Sequence, residues 1–252
     1  MTYCLGILLN EGLVMASDSR TNAGVDQIAK VQKMAIFEYP GDRVAVLLSS
    51  GNLGTTQSVV ALLRQRLRSD IAGEDLFAAH TMFEVARIVG RVLREVLKYD
   101  GEHVRLSGDP NAMFLVGGQI SGESHRLFQI YSAGNFIEAS SRSQFLHLGE
   151  TKYGKPILDR TISTGTTLDT AAKVSLLSYD ATMRSNLSVD CPIDLIRYKR
   201  DSLKLDNVNK YHKDTPYWVD LRNSYSDGLM SVISGLPNPL IRVTGVQPVT
   251  SS

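Results

Sequence analysis

The second residue of this chain is the first that could act in catalysis. Thr2 follows Met1, and a threonine hydroxyl is a nucleophile at neutral pH only when a base accepts its proton. If methionine aminopeptidase removes Met1, that base can be the α-amino group of Thr2 itself, whose ordinary pKa is about 7.7 to 8.0. Strands also favour β-branched residues, so Thr2 alone does not distinguish a nucleophile from the start of an edge strand.

Two charged residues further along the chain meet the needs of such a nucleophile. A terminal amine acts as a base only while it is neutral, and a nearby ammonium group lowers its pKa by repulsion. Lys33 can supply that ammonium group, and Asp18 would keep the lysine charged and oriented. The alternative is a surface ion pair of Asp18 with Lys33 or Arg20, and such pairs contribute little to stability.

The elements that must position these residues are predicted from apolar spacing and turn residues. Apolar patterns bounded by turn residues predict strands at 3–9, 13–17, 34–39, 43–49, 112–116, 126–131, 145–148 and 194–199. Helical spacing of apolar residues predicts helices directly after the glycines of 51–54, over 82–96, over 167–183 and around 218–233. A polar loop is expected at 103–111, and a charged, turn-rich stretch at 200–214.

The order of these elements predicts an α+β protein. Strands joined by tight turns favour antiparallel sheets, and the helices that alternate with them favour outer layers. Helices over two face-to-face sheets form a four-layer αββα sandwich. No repeat, low-complexity block or flexible linker divides the sequence, so we expect one domain over 1–252, in which 200–252 form a C-terminal extension with a helix.

The composition argues against several other classes of function. The 27 basic and 26 acidic side chains give a net charge of +1, which is no reason to expect nucleic acid or an anionic membrane as a partner. The two cysteines and five histidines have neither disulfide nor metal-ligand spacing, so we expect no metal and no cofactor. Neither a leader peptide nor a bilayer-spanning segment is recognisable, and we therefore expect a cytoplasmic protein.

Several short motifs give the sequence a family resemblance. The stretch SDSRTNAG at 17–24, a lysine at the start of a later strand, and SSGN at 49–52 resemble proteasome-type subunits of the N-terminal nucleophile hydrolases. The opening TYC at 2–4, LGETKYGKP at 148–156, YDATMRSN at 179–186 and the closing segment 218–237 are similar to Anbu, the bacterial proteasome-like branch. The resemblance extends over nearly the whole chain and implies the αββα fold.

The resemblance also implies the roles of individual residues. Thr2 would be both nucleophile and base, and Asp18 and Lys33 would be the charge pair that tunes its amine. Gly51 would donate its backbone N–H group to the oxyanion, and a position at a helix N-terminus agrees with that role because free N–H groups there favour developing negative charge. Lys30 is an alternative to Lys33, since the interval from Asp18 to Lys33 is one residue shorter than is usual in proteasomes. We prefer Lys33 because it enters the strand at 34–39.

Three further positions depend on the same resemblance. Asp180 and Ser185 correspond to the supporting residues that hydrogen-bond around the terminal amine, although their separation is longer than is usual in the family. Glu150 stands where proteasomes place the serine of a Gly-Ser-Gly turn. Its carboxylate either replaces that serine as a hydrogen-bond acceptor, which would raise the pKa of the amine, or is a solvated loop charge.

These implications lead to one predicted function and one alternative from another class. The prediction is a threonine-type hydrolase of amide or peptide bonds that acts within a self-compartmentalising homo-oligomer, either a ring or an open spiral. The alternative is a catalytically silent assembly subunit. By family analogy, the pathway partners would be ATP-grasp-like and transglutaminase-like proteins.

Overall fold

The computed structural model describes residues 2–22, 28–69 and 73–239, which contain twelve strands and five helices. Met1, the last two residues of SDSRTNAG and the end of the expected C-terminal extension lie outside the described residues. In chain order the elements are β1 (Tyr3–Leu9), β2 (Gly12–Asp18), β3 (Arg20–Asn22), β4 (Ile28–Lys30), β5 (Met34–Tyr39), β6 (Arg43–Gly51), α1 (Leu53–Gln65), α2 (Met82–Arg105), β7 (Ala112–Ile120), β8 (Arg126–Ile130), β9 (Phe136–Glu138), β10 (Phe145–Gly149), α3 (Lys155–Thr161), α4 (Leu168–Ser185), β11 (Ile193–Lys199), β12 (Asn209–Tyr211) and α5 (Pro216–Gly235).

The strands form two five-stranded antiparallel sheets and one small hairpin. The first sheet has the order β10-β1-β2-β11-β12, and the second has the order β5-β6-β7-β8-β9. The hairpin consists of β3 and β4. β1 lies between β10 and β2, so it is hydrogen-bonded to a neighbouring strand on each side.

Three apolar interfaces separate four layers of secondary structure. On β6, Ala45 and Leu47 pack toward α1 and α2, whereas Val44 and Val46 pack toward the first sheet. This alternation follows from the two-residue period of a strand. A third interface joins the first sheet to α3, α4 and α5, and it includes the fully buried Trp218. The αββα sandwich predicted from the sequence is therefore confirmed.

The structure differs from the sequence prediction mainly in its short elements. The three-residue strands β3, β4, β9 and β12 were not predicted, because a segment of that length contains too little alternation to be recognised. The expected turn-rich stretch contains β12, and α2 continues three residues into the expected polar loop. Among the described residues, no helix combines the length and apolarity that crossing a bilayer requires.

Candidate active site

Thr2 is held by backbone contacts with the end of β10. Its carbonyl oxygen accepts a 2.8 Å hydrogen bond from the N–H group of Glu150, just beyond β10. Gly149 has a φ of +80°, and a Cβ atom there would lie 1.8 Å from the Thr2 carbonyl oxygen. Only glycine allows this approach, because other residues would be strained at that φ and would collide with Thr2. The position of Thr2 therefore depends on the tight contact with the end of β10.

The next residue, Tyr3, anchors this end of the chain to α4. The Tyr3 hydroxyl and the Ser178 hydroxyl are 2.6 Å apart, and the Tyr179 hydroxyl donates to the Tyr3 carbonyl oxygen at 2.9 Å. All three side chains are fully buried. Burial raises the pKa of Tyr3 to about 12, so its hydroxyl stays protonated at neutral pH and continues to hydrogen-bond. Neither Ser178 nor Tyr179 was assigned to the site from sequence, although both lie at or beside the motif YDATMRSN.

Asp18 and Lys33 form a buried ion pair directly beside Thr2. The Lys33 Nζ atom lies 2.9 Å from both carboxylate oxygens of Asp18, and the N–H group of Tyr3 donates to Oδ1 of the same carboxylate at 3.0 Å. Asp18 is 0% exposed and Lys33 is 7% exposed. Lys33 also donates to the carbonyl oxygen of Arg20. One carboxylate thus joins the lysine to the backbone of the residue after Thr2.

The charge of this pair is determined by two opposing effects. Burial raises the pKa of the Asp18 carboxyl above its ordinary value, whereas the adjacent Lys33 ammonium group and the N–H groups of Tyr3 and Arg20 lower it. Removal of one partner would leave the other as an isolated buried charge, which is strongly unfavourable. The pair is not the surface ion pair that was the alternative from sequence. The side chain of the rival Lys30 lies outside the described residues.

Gly51 presents its N–H group to the same region from the end of β6. The backbone N–H group of Ser49 donates to the Lys33 carbonyl oxygen at 3.0 Å, toward β5. The backbone N–H group of Asn52 donates to the Asn111 carbonyl oxygen at 2.9 Å, on the opposite side of the strand. Because amides alternate along a strand, the N–H group of Gly51 faces away from β7. Gly51 has a φ of +109°, and a Cβ atom there would lie 2.3 Å from the Asn111 carbonyl oxygen. Asn52 then caps α1 by accepting from Thr55.

A cleft of about 780 Å³ brings these groups together. Its lining includes Thr2, Lys33, Gly51 and one face of α1. A cleft of this size suits a small ligand or a substrate side chain. A carbonyl group placed between Thr2 and Gly51 would have a hydroxyl on one side and an N–H donor on the other.

Comparison with solved structures identifies the family. Anbu (ancestral beta-subunit) from Yersinia bercovieri is 43% identical, with a TM-score of 0.90 over 95% of this chain and 99% of that one. Anbu from Hyphomicrobium sp. strain MC1 is 44% identical, with a TM-score of 0.88 over 95% and 100%. A structure described as the helical assembly of the Anbu complex from Pseudomonas aeruginosa is 44% identical, with a TM-score of 0.90 over 94% and 98%.

The chain belongs to the Anbu family of proteasome-like proteins. No protein-family model matches it, and no curated protein does either. The resemblance stated from the motifs is therefore confirmed by similarity over nearly the whole Anbu subunit.

The two supporting residues expected in α4 are placed differently from the four residues around the cleft. Asp180 is buried, and its carboxylate accepts from Arg184 at 2.9 Å and lies 3.9 Å from Arg222 of α5. Ser185 is exposed at the last residue of α4. Five residues on a helix of 3.6 residues per turn separate two side chains by about 140° around the axis, so they face different directions. Among the hydrogen bonds of the described residues, none joins Asp180 or Ser185 to Thr2.

Glu150 is the position at which this Anbu chain departs from the Gly-Ser-Gly turn of proteasomes. It is only 8% exposed, so it is not the solvated loop charge considered as an alternative. Its carboxylate accepts from the N–H group of Lys152 at 3.0 Å and from Asn186 Nδ2 at 2.9 Å. The Lys152 N–H bond, followed by the Asn186 bond, lowers the pKa of Glu150 below its ordinary value, against the effect of burial. Glu150 thus connects Thr2, through its backbone N–H group, to Asn186, the C-cap residue of α4.

These contacts predict an acid-dependent contribution of Glu150 to stability. A carboxyl whose folded pKa is lowered stabilises the fold above its ordinary value of 4.5, and that contribution is lost as the pH falls through the folded pKa. We expect the Glu150→Gln variant to unfold at lower urea concentration than wild type at pH 7, with the difference shrinking below pH 4.5. Urea titrations followed by circular dichroism measure it. Glu102→Gln, an exposed carboxylate on α2, is the control; a difference that stays constant with pH would contradict the assignment.

Cys4, two residues after Thr2, is not placed to act as a nucleophile. It is fully buried between the sheets, and its Sγ atom donates to the carbonyl oxygen of Ser49 at 3.4 Å. Burial raises the pKa of the Cys4 thiol, so the nucleophilic thiolate is not formed at neutral pH. Thr2 is therefore the better candidate nucleophile of the two.

Proposed function

We propose that the chain is a threonine-type hydrolase of amide or peptide bonds, with Thr2 as its N-terminal nucleophile once Met1 is removed. The observation that carries this proposal is the buried Asp18–Lys33 pair: its carboxylate accepts from the N–H group of Tyr3, and its lysine lines one cleft with Thr2. A buried ammonium group at this place would keep the terminal amine of Thr2 neutral, as a general base must be.

The proposed reaction has two stages. The α-amino group takes the hydroxyl proton as Thr2 Oγ attacks the carbonyl carbon, and the N–H group of Gly51 stabilises the oxyanion that forms. The carbon–nitrogen bond then breaks, the leaving amine takes the proton, and an ester remains on Thr2. In the second stage the α-amino group of Thr2 takes a proton from water as the water oxygen attacks the ester carbonyl carbon. The bond to Thr2 Oγ then breaks, the proton returns to Oγ, and the acid is released.

A peptide epoxyketone tests this proposal, because it reacts with both the hydroxyl and the amine of an N-terminal threonine. Intact-mass spectrometry of the purified protein first establishes whether Met1 is absent. We expect an adduct of one reagent per chain with wild type and with Thr2→Ser, and none with Thr2→Ala. If Met1 is absent and no adduct forms with wild type, the hydrolase proposal fails and the silent assembly subunit is favoured.

We also propose that the protein acts as a homo-oligomer and that α5 takes part in the assembly. Only Trp218 of this helix is buried, whereas Leu229 (44% exposed), Met230 (62%), Val232 (62%) and Ile233 (57%) present apolar side chains to solvent. Contiguous apolar surface of this kind usually marks an interface. A related protein, Anbu from Pseudomonas aeruginosa, is described as a helical assembly. A second copy is therefore the partner we propose for this end of α5.

If α5 forms the interface, a charge on its apolar face should lower the mass of the assembly without changing the fold of the subunit. We expect Ile233→Glu to shift the protein to smaller species in sedimentation velocity, because a charge would be buried in the interface. Ser231→Glu adds the same charge on the opposite side of the helix and is the control. At a concentration where the assembly is dissociated, both variants should unfold at the same temperature as wild type. Unchanged sedimentation of Ile233→Glu would exclude this surface from the assembly.

A further inference from the structure

One face of α1 forms a wall of the cleft from Gly51 outward. Leu53, Gln57, Val60, Ala61 and Arg64 all line the cleft, and their spacing places them on one side of the helix. Leu53 and Val60 are half-buried, whereas Gln57, Ala61 and Arg64 are exposed to the cleft. The wall is thus apolar along its base and polar along its outer edge.

Two long hydrogen-bond donors flank a small residue on this outer edge. Gln57 lies one turn before Ala61, and Arg64 lies just under one turn after it. Helical side chains lean toward the N-terminus of their helix, so the Arg64 guanidinium group extends back over Ala61. The methyl group of Ala61 leaves an open space between the two donors. We call the gap formed by Gln57, Ala61 and Arg64 the α1 notch.

The α1 notch carries the positive charge of the Arg64 guanidinium group. The other cation that lines the cleft, Lys33, is neutralised by Asp18. On the adjoining turn, Arg66 is paired with Glu74 and Glu95. Within the described parts of the chain, by contrast, no acidic side chain forms an ion pair with Arg64.

Among the described residues that line the cleft, the acidic one lies at the other end. Asp109 lines the cleft, and its backbone oxygen accepts from Asn52, the residue that follows Gly51. Its carboxylate accepts from the N–H group of Asn111. A rise of 1.5 Å per residue puts the Cα atom of Arg64 about 16 Å from that of Leu53 at the start of α1. The cleft therefore has an anion beside the reacting centre and a cation far along α1.

We propose that the α1 notch binds the terminal carboxylate of a substrate side chain, so that the enzyme prefers glutamate, or a longer acidic side chain, on the acyl side of the amide. This inference rests on the proposed hydrolase function. The methylene groups of such a side chain would contact Val60, and its carboxylate would accept from the guanidinium group of Arg64, which leans back toward the start of α1. A carboxylate and a guanidinium group form charge-assisted hydrogen bonds, which a neutral amide cannot match.

Three acetylated tripeptide epoxyketones that differ only in their last residue, Glu, Gln or Leu, test the preference. The assembled protein is treated with each at low salt, and the second-order rate of adduct formation is followed by intact mass. We expect wild type to react about tenfold faster with the Glu probe than with the Gln probe. Arg64→Gln should remove that difference and leave the Leu rate within about twofold, and Ala61→Leu should slow the Glu probe by filling the notch.

The matched control is Arg87→Gln, which removes an exposed arginine of α2 outside the cleft and should keep the Glu preference. Equal rates for the Glu and Gln probes with wild type, or a preference that survives in Arg64→Gln, would overturn the proposal. If no probe reacts with wild type, the hydrolase proposal fails separately. Binding of acetyl-Ala-Ala-Glu amide, followed by NMR titration, then decides: weaker binding to Arg64→Gln supports the notch, and equal binding refutes it.

Discussion

Replacing Lys33 by methionine is expected to slow the reaction of Thr2 with a peptide epoxyketone by about 100-fold or more at pH 7. Methionine keeps much of the shape of the lysine side chain but lacks its charge, so the Asp18 carboxylate left without its cation would favour the protonated amine of Thr2. The pKa of that amine would then rise from its ordinary value of about 7.7 to 8.0 to about 9 or above, which leaves about 1% or less of it neutral at pH 7. A protonated amine is no base, and general base catalysis usually contributes about 100-fold to 10,000-fold. The decisive measurement is the rate as a function of pH, because the profile should move to higher pH as well as fall.

The stability of this variant needs its own control. Lys33→Met leaves Asp18 buried without its cation, and breaking a buried pair in this way costs about 3 to 5 kcal/mol. The double variant Asp18→Asn/Lys33→Met removes both charges and should regain part of that loss while remaining slow. A folded Lys33→Met protein, free of Met1, that reacts within twofold of wild type at pH 7 would refute the role of the pair.

Replacing Gly51 by alanine is expected to have an effect of similar size for a different reason. The φ of +109° is strained for alanine, and the new Cβ atom would lie 2.3 Å from the Asn111 carbonyl oxygen. The backbone must therefore shift, and the N–H group would leave the position where it can stabilise an oxyanion. Loss of one such donor typically costs about 100-fold to 1000-fold in kcat. Hydrolysis rates with a saturating peptide amide measure it.

Two other glycines separate the possible causes. Gly54 lies in the first turn of α1 and its substitution by alanine meets only the Asn52 side chain, at 3.3 Å, so activity should change little. Gly41 has a φ of +81° with nothing within 4 Å, at the far end of β6. Gly41→Ala should thus lower stability by about 1 kcal/mol without slowing the reaction. If Gly41→Ala were as slow as Gly51→Ala, general strain rather than the oxyanion contact would explain the loss.

Local patterns in the sequence determined most of the secondary structure. Long strands such as β1 and β6 and the amphipathic helix α2 contain enough residues for their apolar periods to be recognised. The turn that joins β6 to α1 is also local, since it needs glycine at 51 and a capping asparagine at 52. The Asp18–Lys33 contact was predicted because a nucleophile at Thr2 requires a cation of that kind. The roles assigned to these residues remain predictions.

Only the tertiary structure determined which way each side chain points and what it meets. Glu150 and Asn186 are far apart in sequence but 2.9 Å apart in space, and Tyr179 reaches the backbone of Tyr3 across an even longer interval. Ser185 and Asp180 belong to one motif, but the helical turn between them directs one into the fold and the other to solvent. In the sequence Arg64 has the pattern of an ordinary exposed helix residue, and only the structure places it on a cleft that β5 and α1 line together. Such contacts depend on the packing of whole layers, and no local period records that packing.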